Sequence, residues 1–91
     1  MRIEQLEQFI VVVDEGSLSE ASRKLFVSRS SLSMAMKTLE EDLGAPLFER
    51  MAKGIMLTEF GVKTYYQAKD ICDRVAHLKG LSDSKLGSTL T

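Results

Sequence analysis

The pattern of apolar and polar positions begins with an apolar stripe over residues 3–14. Its members stand at i, i+3, i+4 and i+7, namely Leu6, Phe9, Ile10 and Val13. This spacing places them on one face of a helix, so it predicts a first amphipathic helix. Gly16 follows as a residue that can end it.

A second, short helix is predicted directly after the first. Ser17 is followed three residues later by Glu20, which is the spacing of a capping box. Three residues are expected to face inward: Leu18, Ala21 and Leu25. Arg23 and Lys24 are expected to face outward, and Phe26 and Val27 are expected to form an apolar turn.

A third helix is predicted from Ser28, its N-cap, to Gly44 and Pro46, which end it. The buried stripe consists of Leu32, Met36, Leu39 and Leu43. At about 100° per residue the opposite face consists of Ser30, Met34, Lys37 and Glu41. Four serines open this helix although serine is a mediocre helix former. Their positions therefore call for a reason other than helix propensity.

Two short apolar runs, 47–48 and 55–57, predict a small β-hairpin with Gly54 at its turn. Thr58 can cap a fourth helix over residues 59–79. That helix carries an apolar seam of Ala68, Ile71, Val75 and Leu78, with Tyr65 and Cys72 beside it. At roughly 30 Å the seam is longer than the small body can cover, which predicts that it packs against a second copy of the chain.

Composition restricts the class of protein. The chain has 91 residues, 44% hydrophobic content and one proline, which favours one folded domain, or one domain with an appendage. It has no apolar run long enough for a membrane span, and its start lacks the pattern of a signal peptide, so a cytoplasmic location is expected. The one cysteine excludes an internal disulfide framework.

The charge is unevenly distributed along the chain. The net charge of -1 counts mildly against nucleic-acid binding. Residues 17–39, however, hold four basic residues and one acidic residue, whereas residues 40–49 hold four acidic residues and no basic one. The positive charge therefore coincides with the serine-rich start of the third helix.

Three short helices followed by a hairpin give the order of a winged helix-turn-helix, in which the third helix enters the DNA major groove by its N-terminal end. Short hydroxyl side chains allow close approach there and can bond phosphates or base edges. The predicted fold class is mainly α with a small β-hairpin, a winged helix-turn-helix followed by a long linker and dimerisation helix. The predicted DNA-binding residues are Ser28, Arg29, Ser30, Ser31, Ser33, Met34, Lys37, Arg50 and Lys53.

Residues 1 to about 80 resemble the N-terminal domain of LysR-type transcriptional regulators. The matching stretches are "LEQFIVVVDEGSLSEASRKLFVSRSSLSMAMKTLEEDLGAPLFER", then "KGIMLTEFG", then the long helix. The resemblance implies a bacterial regulator that binds dyad-symmetric promoter sites on double-stranded DNA as a dimer or tetramer. It implies a DNA-binding domain over 1–58, a dimerisation helix over 59–79, and a hinge over 80–91. The hinge would lead to a C-terminal domain that binds a small-molecule effector, so this chain is expected to be part of a longer protein. No cofactor is expected in residues 1–91.

The chain departs from the family pattern at the front of the third helix. Arg29 stands where the family usually has glutamine, and Met34-Ala35 stands where it commonly has Arg-Gln. A methionine offers an apolar tip suited to a thymine methyl, where an arginine would read guanine. The family's base preferences are therefore not transferred to this chain.

Other interpretations remain open from the sequence. A winged-helix module that binds protein and not DNA would fit the overall acidity, and Met34 could belong to the core. An acidic cluster of Glu40, Glu41 and Asp42 is expected to be a solvated face. Cys72 is expected to be a packing residue, and His77 lacks neighbours at ligand spacing. The sequence has no phosphate loop, nucleophile elbow or paired carboxylates typical of an enzyme.

Overall fold

Six elements follow one another in the computed structural model, which describes the backbone of residues 1–49 and 54–88 and the side chains of residues 1–49 and 54–81. They are α1 (Ile3–Glu15), α2 (Leu18–Leu25), α3 (Arg29–Leu43), β1 (Phe48–Glu49), β2 (Met56–Leu57) and α4 (Glu59–Ser88). The strands pair antiparallel, with Phe48 opposite Leu57 and Glu49 opposite Met56. The predicted order of three helices, a hairpin and a long helix is confirmed.

The helix boundaries form where the sequence places its caps. The Ser17 hydroxyl accepts the backbone N–H of Glu20 at 3.1 Å, and the Ser28 hydroxyl accepts that of Ser31 at 3.0 Å. Gly16 and Gly44 end α1 and α3 in the left-handed conformation, with φ of 80° and 84°. These contacts satisfy backbone groups that a helix end otherwise leaves unpaired.

The core lies where α1, α3 and the start of α4 meet. Its fully buried apolar residues come from every helix and from the loop before β1: Leu6, Phe9, Val12, Ala21, Leu32, Met36, Leu39, Leu47 and Ala68. The α3 stripe predicted from spacing is confirmed, with Leu43 half-buried at its end. Phe9 packs edge-to-face on Phe48 with ring centroids 5.6 Å apart, so the hairpin and α1 share this core.

Helix α4 lies antiparallel along α1. The Tyr65 hydroxyl donates to Asp14 near the end of α1 at 2.5 Å. Cys72, further along α4, is close enough to Glu7 near the beginning of α1 for the two side chains to interact electrostatically. The hydrogen bond to Asp14 raises the pKa of Tyr65 above its ordinary value, because it favours the neutral phenol. Burial raises the pKa of the Cys72 thiol, which fits the packing role expected for it.

The turn between α2 and α3 differs from the apolar turn expected there. Phe26 adopts φ 58°, in the left-handed region, and its side chain is 94% exposed. Its backbone N–H bonds to the last carbonyls of α2, so the main chain makes the turn. Val27 alone of the pair packs against the core.

The long helix extends further than predicted. It was expected to end near residue 79, and it continues to Ser88. Gly80 lies inside the helix and does not end it. A glycine in a helix interior reduces stability by only about 1 kcal/mol relative to alanine, which a helix can tolerate. The hinge predicted for residues 80–91 thus begins within helix, and residues 89–91 lie outside the described part of the chain.

Candidate DNA-binding surface

The exposed face of α3 is the candidate nucleic-acid interface. Ser30, Ser33, Met34 and Lys37 are all exposed on this one face, opposite the buried stripe. Met34 is 63% exposed, so the interpretation of Met34 as a core residue is wrong. Arg29 is exposed at the first position of the helix, and Ser31 is exposed beside it.

Ser28 has a structural role whatever else it contacts. Its hydroxyl oxygen accepts the Ser31 N–H and lies 3.3 Å from the Ser30 hydroxyl oxygen. The Ser28 oxygen therefore already caps the helix, and one of the Ser28 and Ser30 hydroxyls donates to the other, which leaves one proton of the pair for a phosphate or base. This answers why the helix opens with serines: one is the cap, and the others are short polar groups on an exposed end.

The start of α3 is electropositive. No acidic residue stands in its first turn, and the N-terminal end of a helix carries a partial positive charge. Within the described side chains, Arg29 and Lys37 form no ion pair. By contrast, Arg23 and Lys24 of α2 pair with Glu20 and Glu15. The unpaired cations of α3 are thus on the face that sequence reasoning assigned to DNA.

The hairpin lies beside α3 and forms one wall of a cleft of about 430 Å³. Arg29, Ser33 and Lys37 line the cleft from α3, and Glu49 and Gly54 line it from the hairpin. A surface that approached α3 would therefore also approach the hairpin. Arg50 and Lys53, the two hairpin residues predicted to bind DNA, lie outside the described residues.

The acidic cluster predicted as a solvated face is divided in the structure. Glu41 is exposed as expected, but Glu40 is half-buried, and its carboxylate accepts the backbone N–H groups of Leu47 and Phe48 at 2.7 and 3.2 Å. Asp42 pairs with the N-terminal ammonium at 2.9 Å. Sequence reasoning missed both contacts, because nothing in the local pattern shows which distant backbone group a carboxylate meets.

The residues predicted for dimerisation fall into two groups. Ala68 is 1% exposed, and Tyr65 and Cys72 pack against the core of their own chain. Ile71 and Leu78 are exposed, and Val75 is half-buried. Ile71 and Leu78 therefore offer the most exposed apolar surface of the set to a partner.

Comparison with known proteins identifies the family. Residues 3–62 match the model of the bacterial regulatory helix-turn-helix proteins of the lysR family. The chain is 35% identical to the transcriptional regulator ClcR of Pseudomonas putida over 82 residues, covering 90% of this chain and 26% of that protein. It is 37% identical to BudR of Klebsiella aerogenes over 86 residues, covering 94% and 55%. The chain thus spans about a quarter to about half of these relatives.

Solved structures agree with the sequence comparison. A CbnR_DBD–DNA complex superposes with a TM-score of 0.90 at 32% identity, covering 96% of this chain and 100% of that one. A BenM_DBD complex with catB site 1 DNA also gives 0.90, at 28% identity, covering 98% and 100%. The winged helix-turn-helix expected from the order of elements is confirmed. This chain belongs to the lysR family of bacterial regulatory helix-turn-helix proteins.

Proposed function

We propose that this chain is the sequence-specific DNA-binding part of a transcription regulator, and that it inserts the N-terminal end of α3 into the major groove. The observation that carries the proposal is the exposed α3 face: short hydroxyls, a methionine and cations that form no ion pair among the described side chains stand on one side of a helix whose other side is buried. Two superposable structures of family members hold DNA. The protein-binding alternative has no comparable observation in its favour.

The overall acidity is compatible with this proposal because the charges are separated. The three acidic residues of α3 stand in its last turns: the Glu40 carboxylate is hydrogen-bonded to the hairpin root, Asp42 pairs with the N-terminal ammonium, and Glu41 is exposed one turn beyond Lys37. Phosphates along the groove would meet Arg29 and Lys37 first. A net charge of -1 therefore does not describe the potential at the binding face.

A titration of duplex DNA at increasing salt tests the proposal. The DNA would be an operator selected from a random-sequence library, with no small molecule added. We expect log K to fall linearly with log salt concentration, by about 0.9 for each phosphate contacted. For Arg29→Ala, a slope smaller by about one would assign Arg29 to a phosphate, whereas lost discrimination at one base pair per half-site would assign it to a base. If the selection yields no preferred sequence, or if binding does not change with salt, the protein-binding module is favoured.

Met34 is proposed as a residue that sets base preference. Its exposed thioether side chain can contact a thymine methyl and cannot donate to guanine. For Met34→Arg we expect unchanged folding, tighter non-specific binding, and a changed preferred base at one position of each half-site, worth about 1–3 kcal/mol of discrimination. Selection of operators from a random library by both proteins measures this. Met34→Leu, which keeps an apolar tip, is the control and should keep the wild-type preference; an identical selected sequence for Met34→Arg would count against the role.

We also propose that the chain works as a homodimer through α4. Packing of α4 against its own core extends over Phe60 to Cys72, whereas the helix runs to Ser88. One face presents Ile71 where the body ends, and Val75 and Leu78 beyond it. A symmetric dimer along this face would bury these side chains and hold two α3 helices at a fixed separation, as a dyad-symmetric site requires.

The remaining parts of the function concern the whole protein. From the family resemblance we propose that a small-molecule effector controls it, and that this effector binds outside residues 1–91. A regulator that binds the chromosome must reach it, so we propose a cytoplasmic location. In the part of the chain that the structure describes, no helix is both long and apolar enough to cross a membrane.

A further inference from the structure

Glu40 joins the recognition helix to the hairpin. It lies in the last turns of α3, is half-buried, and its Oε2 atom accepts the backbone N–H of Leu47 at 2.7 Å and that of Phe48 at 3.2 Å. Hydrogen bonds to a carboxylate are stronger than those between neutral groups. Among the described residues, no other side chain of α3 forms a hydrogen bond to this segment.

The segment that Glu40 holds is the root of the hairpin. Thr58 holds the same segment through its backbone carbonyls. The Leu47 carbonyl accepts the Thr58 N–H at 3.0 Å, and the Pro46 carbonyl accepts the Thr58 hydroxyl at 2.7 Å. Leu47 is fully buried, and Phe48 begins β1. Thr58 therefore ties the hairpin root to α4, and Glu40 ties it to α3.

Because of its position, replacing Glu40 could either strengthen or weaken DNA binding. Its side chain lines the same cleft as Arg29 and Lys37. If charge alone mattered, removing this carboxylate would strengthen binding to a polyanion, because one repulsion would be lost. If the hydrogen bonds matter more, removing it would weaken binding, because the hairpin would no longer be held in register with α3.

We propose that Glu40 is a positioning residue for DNA binding, which holds the hairpin against the recognition helix so that both reach the duplex together. The proposal rests on the DNA-binding function proposed above. It predicts that binding weakens when Glu40 is replaced, although a negative charge is removed from the binding cleft. The loss arises because a mobile hairpin has to be ordered at the moment of binding.

The test compares Glu40→Ala and Glu40→Gln with Glu41→Ala, a matched control that removes an equal charge from the exposed neighbour. For Glu40→Ala we expect an operator Kd about tenfold higher and a smaller salt slope, as hairpin contacts are lost. Glu40→Gln keeps an oxygen that can accept one N–H, so its Kd should be intermediate. Glu41→Ala should bind as tightly as wild type or slightly more tightly.

Hydrogen exchange followed by NMR supplies a readout on the free protein. In Glu40→Ala the amides of Leu47 and Phe48 should exchange faster, while those of Val12 and Leu39 in the core should not change. If Glu40→Ala fails to fold, the operator Kd and the amide exchange rates are measured on Glu40→Gln. Glu40 variants that bind DNA as tightly as wild type or more tightly, or Leu47 and Phe48 amides that exchange at the wild-type rate, overturn the proposal. A wild-type chain that binds no DNA at any salt overturns the proposed function instead.

Discussion

Replacing Gly61 with alanine is expected to destabilise the protein by about 3 kcal/mol, at the upper end of what overpacking costs. A Cβ built at Gly61 would lie 2.2 Å from the Leu47 carbonyl oxygen and 3.1 Å from the Leu57 Cδ2 atom. The first of these atoms belongs to the backbone, and it already accepts the Thr58 N–H. No side-chain rotation relieves that clash, so either α4 or the hairpin root must move.

Gly80→Ala is the matched control, because it makes the same change inside the same helix. Apart from the neighbouring backbone of its own helix, a Cβ at Gly80 would meet no atom of the described residues within 4 Å. Alanine is the better helix former, so this variant should be more stable than wild type by about 0.5–1 kcal/mol. Thermal unfolding at one protein concentration measures both. With about 4–8 °C per kcal/mol for a domain of this size, the two midpoints should lie on opposite sides of wild type. A Gly61→Ala protein as stable as wild type would contradict the close approach of α4 to Leu47.

The elements that could be predicted from the sequence are those set by local chemistry. The α3 stripe of Leu32, Met36 and Leu39 follows from spacing alone, because a helix of any context puts these positions on one side. The Ser17 and Ser28 caps follow from side chains that accept the backbone N–H three residues further along the chain. The exposed face of α3, which is the candidate site, is the complement of that stripe and was predicted with it.

The contacts that could not be predicted are those between residues distant in sequence. Tyr65 and Asp14 stand 51 positions apart, and Glu40 reaches a loop seven residues on whose path depends on the tertiary fold. A periodic pattern predicts which face of a helix is apolar. It does not predict which backbone group a polar side chain will bond. Gly61 is similar: its sequence neighbours predict a helix, and only the packed structure shows why a glycine stands there.

The apolar seam of α4 is buried along part of its length and exposed along the rest. The spacing of Ala68, Ile71, Val75 and Leu78 is consistent with one face, yet the structure buries Ala68 against its own chain and exposes Leu78. In the proposed dimer, the seam would pack on its own chain over its first part and on the partner over the rest. The division between them depends on where the body ends, near Cys72, which no residue pattern marks.

Replacing Val75 with aspartate is expected to give a monomer and to weaken operator binding by about 10²-fold or more. The substitution places a charge at the centre of the Ile71–Val75–Leu78 face, and burying an unpaired carboxylate between two helices costs several kcal/mol. A dimer binds its second half-site at a high effective concentration, and a monomer loses that gain, which is commonly 10²–10⁴-fold. Sedimentation at micromolar concentration and an operator titration measure the two effects.

Val62→Asp is the control for the same chemistry in the same helix. Val62 is exposed and stands thirteen positions before Val75, a spacing that turns it well away from the proposed dimer face. An aspartate near the helix start is also favourable for the helix dipole. This variant should therefore stay dimeric and bind the operator as wild type does. A wild-type chain that sediments as a monomer at high micromolar concentration would overturn the proposed homodimer, and a Val75→Asp chain that stays dimeric would show that residues outside the Ile71–Val75–Leu78 face hold the two copies together.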